Sequence, residues 1–241
     1  KAMAASVPPR LVDLLEIACY AFAADQETSR GGAVRRKLGE DWRRRFRLRI
    51  PVRDHEFWSR IDVIESLGAA LGFLSEDDWR FEFFPAENPV LLQEYLPLHS
   101  ESAFAADEIA LFSGGADSLA GAVDTLATST RRIALVSHRS SQKILPHQKD
   151  LAAALVEAYP GRVLPIRIYA SRTGGGDAKE GTQRCRSFLY AALGFVVARM
   201  FNVDRLRFFE NGVVSINLPI SDQVQGAMAT RTTHPFGLRL V

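Results

Sequence analysis

One stretch near the middle of the chain constrains the fold more than any other. An apolar run at residues 109–112 leads directly into Ser113–Ser118, which contains Gly114 and Gly115, and a helical apolar pattern begins at Leu119. This order predicts a strand, a glycine turn and a helix. Two glycines let the backbone approach an anion closely, and the amino end of the helix offers free N–H groups. We call residues 113–118 the glycine loop.

The chain beyond the glycine loop alternates between strand and helix patterns. Strands are predicted at residues 108–112, 132–137, 162–168 and 206–209, and helices at residues 116–126, 147–158 and 186–201. This alternation predicts an α/β domain with a Rossmann-like parallel sheet covered by helices on both faces. In such sheets ligands bind at the carboxyl ends of the strands.

Residues before about 100 follow a different pattern. An apolar stripe over residues 11–22 predicts a helix, and alternation over residues 43–52 predicts a half-buried strand. A second helix is predicted from Trp58 to Gly72, and a second strand over residues 79–83 stops at Pro85. We therefore predict a small N-terminal α+β domain over residues 1–103, followed by the α/β domain over residues 104–241.

Composition excludes several classes of protein. The formal charge of +2 is too small to require a nucleic-acid partner. Cys19 and Cys185 are far apart, so neither a disulfide framework nor a cysteine zinc site is predicted. No apolar run reaches membrane-spanning length, and we expect a cytoplasmic protein without a membrane partner. Eight Lys or Arg between residues 35 and 49 leave nucleic acid open as a partner, although the strand alternation indicates a solvated face.

Polar residues follow the predicted strands at the edge where ligands bind. A carboxylate at Asp117 would repel a phosphate unless Mg²⁺ lies between them. The start of the apolar helix carries Arg184 and Arg186, and a guanidinium there can clamp a phosphate. Gly212 and its neighbours fit substrate contact or a simple turn. The candidates for cofactor binding are Ser113, Gly114, Gly115, Asp117, Ser118, Ser137, His138 and Lys143; those for substrate binding are Arg186, Glu210, Asn211 and Gly212; those for catalysis are Asp117, Ser118 and Arg186.

The glycine loop lacks the Lys of a Walker A motif and the third glycine of a dinucleotide-binding fingerprint. It resembles the Ser-Gly-Gly-x-Asp-Ser signature of the PP-loop ATP pyrophosphatases. The resemblance implies that the chain binds ATP with Mg²⁺ and cleaves it between the α- and β-phosphates.

A looser resemblance extends over residues 108–235. Within the PP-loop enzymes this stretch is similar to the 7-cyano-7-deazaguanine synthases, the QueC family, through Gln142 to His147, Arg186 to Leu189 and Glu210 to Val213. The N-terminal residues 11–18 and 50–54 look like the QueC-like proteins of bacterial anti-phage defence operons, the QatC type. The QueC family holds a structural zinc through four cysteines near its carboxyl end. This chain lacks those cysteines, and we expect it to be incomplete at its carboxyl end.

The resemblance implies a reaction. ATP and the carboxylate of 7-carboxy-7-deazaguanine would form an acyl-adenylate and release pyrophosphate, after which an amine would displace AMP. The amine would be ammonia or would belong to a protein partner from the same operon. Two alternatives stay open at this stage, a tRNA-modifying PP-loop enzyme and a non-catalytic nucleotide-binding subunit of a larger complex. The glycine-rich stretch at residues 173–176 is predicted to be a mobile loop.

Overall fold

The computed structural model describes residues 6–30, 43–89, 104–138, 144–169, 179–216 and 231–240. The chain divides into two compact units. The two-stranded unit comprises Pro9–Val90, Arg172–Ala191 and Gly212–Val241. The four-stranded unit comprises Leu91–Ser171 and Ala192–Asn211, with Lys1–Pro8. Both units are discontinuous in sequence, whereas the prediction has a single boundary near residue 103.

The two-stranded unit is a strand–helix–strand arrangement. Its first elements are α1 (Pro9–Glu27), β1 (Arg45–Val52), α2 (His55–Trp58), α3 (Ile61–Ser75) and β2 (Asp78–Pro85). Strands β1 and β2 pair in parallel, with Arg45 opposite Asp78 and Val52 opposite Pro85. Parallel neighbours require a crossover connection, and α2 and α3 supply it. The small predicted domain therefore has a parallel sheet rather than the antiparallel pairing typical of the α+β class.

Alternation along β1 and β2 buries one face of their sheet. Phe46 stacks on Trp79 with ring centroids 4.2 Å apart, and Phe81 stacks on Phe83 at 5.8 Å. The predicted strands over residues 43–52 and 79–83 are confirmed, although β1 begins only at Arg45 and β2 extends from Asp78 to Pro85. The predicted end of the second helix at Gly72 is wrong, because α3 continues to Ser75 and ends only where Glu76 takes a left-handed φ of 59°.

The four-stranded unit contains the strand and helix alternation that follows the glycine loop. Its elements in chain order are β3 (Glu108–Leu111), α4 (Ala116–Thr128), β4 (Ile133–His138), α5 (Leu145–Ala158), β5 (Val163–Ile168), α6 (Arg186–Met200, shared between the units) and β6 (Leu206–Arg207). The strands lie in the order β5-β4-β3-β6 and every pair is parallel. The predicted α/β fold with a parallel sheet is confirmed, but the last strand is shorter than residues 206–209. Helices α7 (Gly212–Ile216) and α8 (Pro235–Leu240) belong to the two-stranded unit.

Helices cover both faces of the four-stranded sheet. Alternate residues of β3 and β4, among them Ala110 and Leu135, form one core with Leu126 of α4 and Leu155 of α5. On the other face α6 lies close, since a Cβ added to Gly194 would meet Leu111 and Leu206. Among the described helices, none combines the length and the apolar character that crossing a bilayer requires.

Strand order reverses at β3. The chain runs from β3 outward to β4 and β5, then returns through α6 to place β6 on the other side of β3. This reversal is a topological switch point, and ligands of open α/β sheets bind in the crevice outside the carboxyl ends of the strands at such a point. The glycine loop follows β3 directly, so the fold sets it at the position where a ligand is expected.

Candidate functional site

The glycine loop is a compact turn held by its own side chains. Gly114 has a φ of +81°, a left-handed conformation that glycine adopts without strain. The Ser113 hydroxyl accepts a hydrogen bond from the Gly115 N–H at 3.2 Å and lies 3.2 Å from the Ser118 hydroxyl. Ser118 in turn donates to the Gly115 carbonyl at 2.9 Å. These bonds fix the turn before any ligand arrives.

The amino end of α4 faces out of this turn. Gly115 is the N-cap residue and has no side chain to cap the first N–H groups of the helix. A 13-residue helix presents the positive end of its dipole there. Ser113, Gly115 and Asp117 are exposed, so the turn is open to solvent and to an anion.

Gln148 supports the glycine loop and is absent from the sequence prediction. Its side chain on α5 is buried, and its amide nitrogen donates to the Ser113 carbonyl at 2.8 Å. A Cβ at Gly114 would lie 2.7 Å from the Gln148 Cγ. Gly114 is therefore required both for its backbone conformation and for the close approach of α5. A polar residue at a buried helical position is the only signal that the sequence carries for this role.

Three chain segments meet at the carboxyl edge of the four-stranded sheet. The glycine loop follows β3, Ser137 and His138 end β4, and Glu210 with Asn211 follows β6. Because β4 and β6 are the two neighbours of β3 and all strands are parallel, these segments share one edge. Ser137 and His138 are buried there.

The carboxyl group of Glu210 is perturbed by its surroundings at this edge. Glu210 is exposed by surface area, yet neighbouring atoms crowd its carboxyl group enough for burial to raise the pKa of Glu210. The negative charge of Asp117 raises the same pKa further. The residue before Glu210, Phe209, packs on the loop-bearing helix at Gly121, where an added Cβ would lie 2.1 Å from its ring. This close packing fixes the position of the backbone just before Glu210.

Two predicted site residues are not part of the four-stranded unit. Arg186 and Gly212 belong to the two-stranded unit. Arg186 donates to the Tyr190 hydroxyl at 3.0 Å, and Gly212 begins α7 instead of forming a turn. Lys143 lies outside the described residues, as do Gln142 and residues 173–176.

The basic stretch at residues 35–49 is described from Arg43 onward. Arg47 and Arg49 project from the exposed face of β1, and both pair with Glu82 on β2. This part of the stretch is the solvated strand face that the alternation predicts, with its charge partly balanced by a carboxylate.

A buried cluster of charges in the two-stranded unit was not predicted. Arg30 donates two hydrogen bonds to the Asp77 carboxylate, at 3.0 and 2.9 Å. Arg44 donates to Asp77 at 2.6 Å and to Asp25 at 2.5 Å. The Arg30 N–H donates to Glu180 at 2.8 Å. These five side chains expose at most 7% of their surface.

The buried cluster explains how distant segments join one unit. Burial by itself would raise the pKa of Asp77, but the hydrogen bonds and charge of Arg44 outweigh it and lower that pKa. Asp25 also accepts from the Cys185 N–H at 3.0 Å, which ties the segment before α6 to α1. Arg184 is buried as well, and burial lowers its pKa. We assign the cluster to folding, because every carboxylate in it bonds to groups of its own unit.

Metal ligands are sparse in the described part of the chain. No group of three or more His, Cys, Asp or Glu side chains comes together there. Cys19 and Cys185 are free thiols, and burial raises the pKa of Cys185 well above its usual value, so it is a poor nucleophile. Asp117 and Glu210 are the pair of carboxyl groups that the site itself offers.

Comparisons with known proteins give no relative for this chain. No protein-family model matches it, and neither a curated protein nor a solved structure is similar to it.

Proposed function

We propose that the chain is a PP-loop ATP pyrophosphatase that activates a carboxylic acid as its adenylate. The glycine loop carries this proposal. Its left-handed Gly114, uncapped helix end and position at the switch point together form a cradle for a polyphosphate. A loop of this sequence without a Walker lysine resembles the enzymes that release pyrophosphate rather than phosphate.

Magnesium fits the residues at this edge and zinc does not. Mg²⁺ is usually held by one or two carboxylates together with substrate phosphates. Asp117 lies in the first turn of α4 and its charge reaches Glu210, so these two groups would hold the ion. When bound, Mg²⁺ would neutralise charge on the phosphates. A structural zinc of the QueC kind needs four cysteines, and the sequence has two.

Each group at the edge takes a role in the proposed reaction. The N–H groups at the start of α4 would bind the β- and γ-phosphates that leave together. The Ser118 hydroxyl would join them by turning its proton from the Gly115 carbonyl to a phosphate oxygen. Ser137 and His138 would contact the nucleoside, because β4 adjoins β3. A carboxylate oxygen of the acid would attack the α-phosphorus, the α–β oxygen bridge would break, and pyrophosphate would depart. An amine nitrogen would then attack the acyl carbon and displace AMP.

The acid that we propose is 7-carboxy-7-deazaguanine, with ammonia or an amine of a protein partner as acceptor. This part rests on the resemblance to the QueC and QatC types, as does a role in anti-phage defence. Arg186, Asn211 and Gly212 remain the proposed substrate contacts. We also propose a cytoplasmic location, which the free thiols of Cys19 and Cys185 support.

The test measures AMP and pyrophosphate from ATP, with and without the deazapurine acid. We expect AMP and pyrophosphate in equal amounts with the acid present, and a loss of at least about 100-fold in Asp117→Ala, since it removes charge stabilisation at the phosphates. Asp124→Ala is the matched control, because Asp124 is an exposed carboxylate on the same helix. Wild-type activity in Asp117→Ala would sink the assignment of the loop.

The products also separate the alternatives. ADP and phosphate in place of AMP would mean cleavage at the wrong bond and would overturn the pyrophosphatase proposal. ATP binding by calorimetry without any cleavage would indicate a nucleotide-binding subunit. Pyrophosphate release that depends on added tRNA instead of the acid would indicate a tRNA-modifying enzyme.

A further inference from the structure

Arginines surround the amino edge of the four-stranded sheet, opposite the glycine loop. An arginine immediately precedes three of the four strands: Arg132 before β4, Arg162 before β5 and Arg205 before β6. Arg131 and Arg207 lie beside them. Three acids, Asp107, Glu108 and Asp204, accompany these five arginines in the sequence, so this edge carries a surplus of two positive charges.

Three of these arginines converge on one buried carboxylate. Glu108, the first residue of β3, is 1% exposed. Arg207 donates to its two oxygens at 3.2 and 3.0 Å, Arg205 donates at 3.2 Å, and Arg131 makes a third ion pair. Burial would raise the pKa of Glu108, but Arg207, Arg205 and Arg131 together lower it. The carboxylate is therefore charged and holds the three guanidiniums in fixed positions.

Balancing one carboxylate does not require three arginines. Arg207 alone makes a two-pronged contact with Glu108, so Arg131 and Arg205 add positive charge that the carboxylate does not need. Each guanidinium has more N–H donors than it gives to Glu108. The side chains of Arg131, Arg205 and Arg207 are 40%, 60% and 42% exposed, so these donors can reach a ligand in solvent.

Arg162 at the same edge shows what a purely structural arginine looks like. Its guanidinium donates to the carbonyls of Leu126, Ser129 and Arg131, and these bonds tie together the turn between α4 and β4. The three arginines on Glu108 differ from it, because they share a single carboxylate and their side chains are 40% to 60% exposed. Like charges held this close are stabilised when an anion joins them.

We propose that Arg131, Arg205 and Arg207, held by Glu108, form a binding site for the phosphate backbone of a nucleic acid. A guanidinium offers a planar fork that matches phosphate oxygens. A free nucleotide needs a concave pocket that buries most of it, whereas these side chains stand on an exposed edge. Ser113 follows Glu108 by five residues along β3 and its continuation, so a separation of up to roughly 17 Å is expected between this site and the glycine loop. The site is thus distinct from the proposed ATP site and does not depend on it.

The experiment measures binding of a fluorescently labelled single-stranded RNA to the full chain by anisotropy over a range of salt concentrations. The variant is Arg131→Gln/Arg205→Gln, which keeps Arg207 to neutralise Glu108. We expect roughly ten-fold weaker binding, and a salt slope reduced by about 1.4 for two lost phosphate contacts on a single strand. AMP release should be unchanged.

Two comparisons make the result decisive. Arg10→Gln/Arg60→Gln removes the same charge from exposed arginines, each paired with one carboxylate, and should bind RNA as the wild type does. Arg131→Lys/Arg205→Lys keeps the charge and should retain most of the affinity and of the salt slope. If the glutamine variant unfolds, the single variants Arg131→Gln and Arg205→Gln decide. Each should weaken binding and reduce the salt slope by about 0.7 for one lost phosphate contact, and wild-type binding in both would overturn the proposal.

Several outcomes would overturn the proposal. One is wild-type affinity and salt slope in a folded glutamine variant. Another is an equal loss in the Arg10 and Arg60 control, which would indicate an effect of net charge alone. A third is complete competition by tripolyphosphate at an equal concentration of phosphate groups, which would indicate a small-anion site. Absence of RNA binding by the wild type would overturn it directly.

Discussion

Replacing Gly121 by alanine sets two opposing effects against each other inside α4. An alanine in a helix interior is favoured over glycine by about 1 kcal/mol, so helix propensity predicts a more stable protein. The added Cβ, however, would lie 2.1 Å from the Cγ and Cδ1 of Phe209 and 2.6 Å from its Cε1. Carbon atoms in contact normally lie roughly 3.5–4.0 Å apart, so the ring would have to move by more than about 1 Å.

The structure indicates that the cost of overpacking exceeds the gain in helix propensity. Phe209 is half-buried against the apolar core that α4 and α5 form with the sheet. The clash involves its Cγ, close to the backbone, so moving only the tip of the ring cannot relieve it. Overpacking of this kind costs about 1–3 kcal/mol, and subtracting the helix gain leaves a net destabilisation of roughly 1 kcal/mol. Movement of Phe209 would also displace Glu210, the next residue, so pyrophosphate release should fall with it.

Urea unfolding of a double-mutant cycle tests this reasoning. Gly121→Ala is measured alone and in a Phe209→Leu background, where a smaller side chain makes room for the added methyl group. We expect the alanine to lower the free energy of unfolding in the wild-type background and to raise it, or leave it unchanged, in the leucine background. A Gly121→Ala protein as stable as the wild type would refute the packing argument.

Three further changes have defined expectations. Gln148→Leu removes the hydrogen bond to the Ser113 carbonyl and should raise the KM for ATP more than it lowers kcat. Gln148→Glu should restore neither the KM nor kcat, because its carboxylate donates no hydrogen bond. An unchanged KM in steady-state kinetics would contradict this expectation. Glu108→Gln should flatten the pH dependence of the unfolding free energy below about pH 5. In the wild type the pKa of Glu108 is lower in the folded state, so its carboxylate adds stability that is lost as pH falls through that pKa. An unchanged dependence of the urea midpoint on pH would count against this expectation. Asp77→Asn leaves buried arginine charge uncompensated and should cost about 3–5 kcal/mol by urea unfolding, unlike the exposed control Asp62→Asn.

Local patterns predicted the elements of the fold and the position of the glycine loop. The apolar run before Ser113, the paired glycines and the helical pattern after Leu119 each act within a few residues, so the sequence reveals the strand, the turn and the helix. The alternation over residues 43–52 predicted a strand equally well, because one face of β1 is buried and the other is solvated. Strand direction in the four-stranded sheet followed from the intervening helices, whereas the α+β prediction for the small domain did not give the parallel pairing of β1 and β2.

Contacts between distant residues could not be predicted in the same way. Gln148 is 35 positions from Ser113, and Arg207 is 99 positions from Glu108. In the sequence both look like ordinary polar residues, since only the sheet order brings them to their partners. The buried cluster around Asp77 could not be predicted either. Arg44 belongs to a run of basic residues in the sequence, yet it is buried while Arg45 beside it is exposed.

These distant contacts have a common effect on the central strand. Strand β3 has only four residues, and it carries the glycine loop between two neighbours. At its amino end Glu108 forms ion pairs with Arg131, which precedes β4, and with Arg205 and Arg207 at the start of β6. At its carboxyl end Gln148 holds the backbone of Ser113. A strand this short has few ladder hydrogen bonds of its own, so polar contacts at both ends must position the loop. The arginine edge and the glycine loop therefore lie at opposite ends of one short strand. Arg207 bonds to both oxygens of Glu108, so it keeps the amino end of that strand in place when Arg131 and Arg205 are replaced.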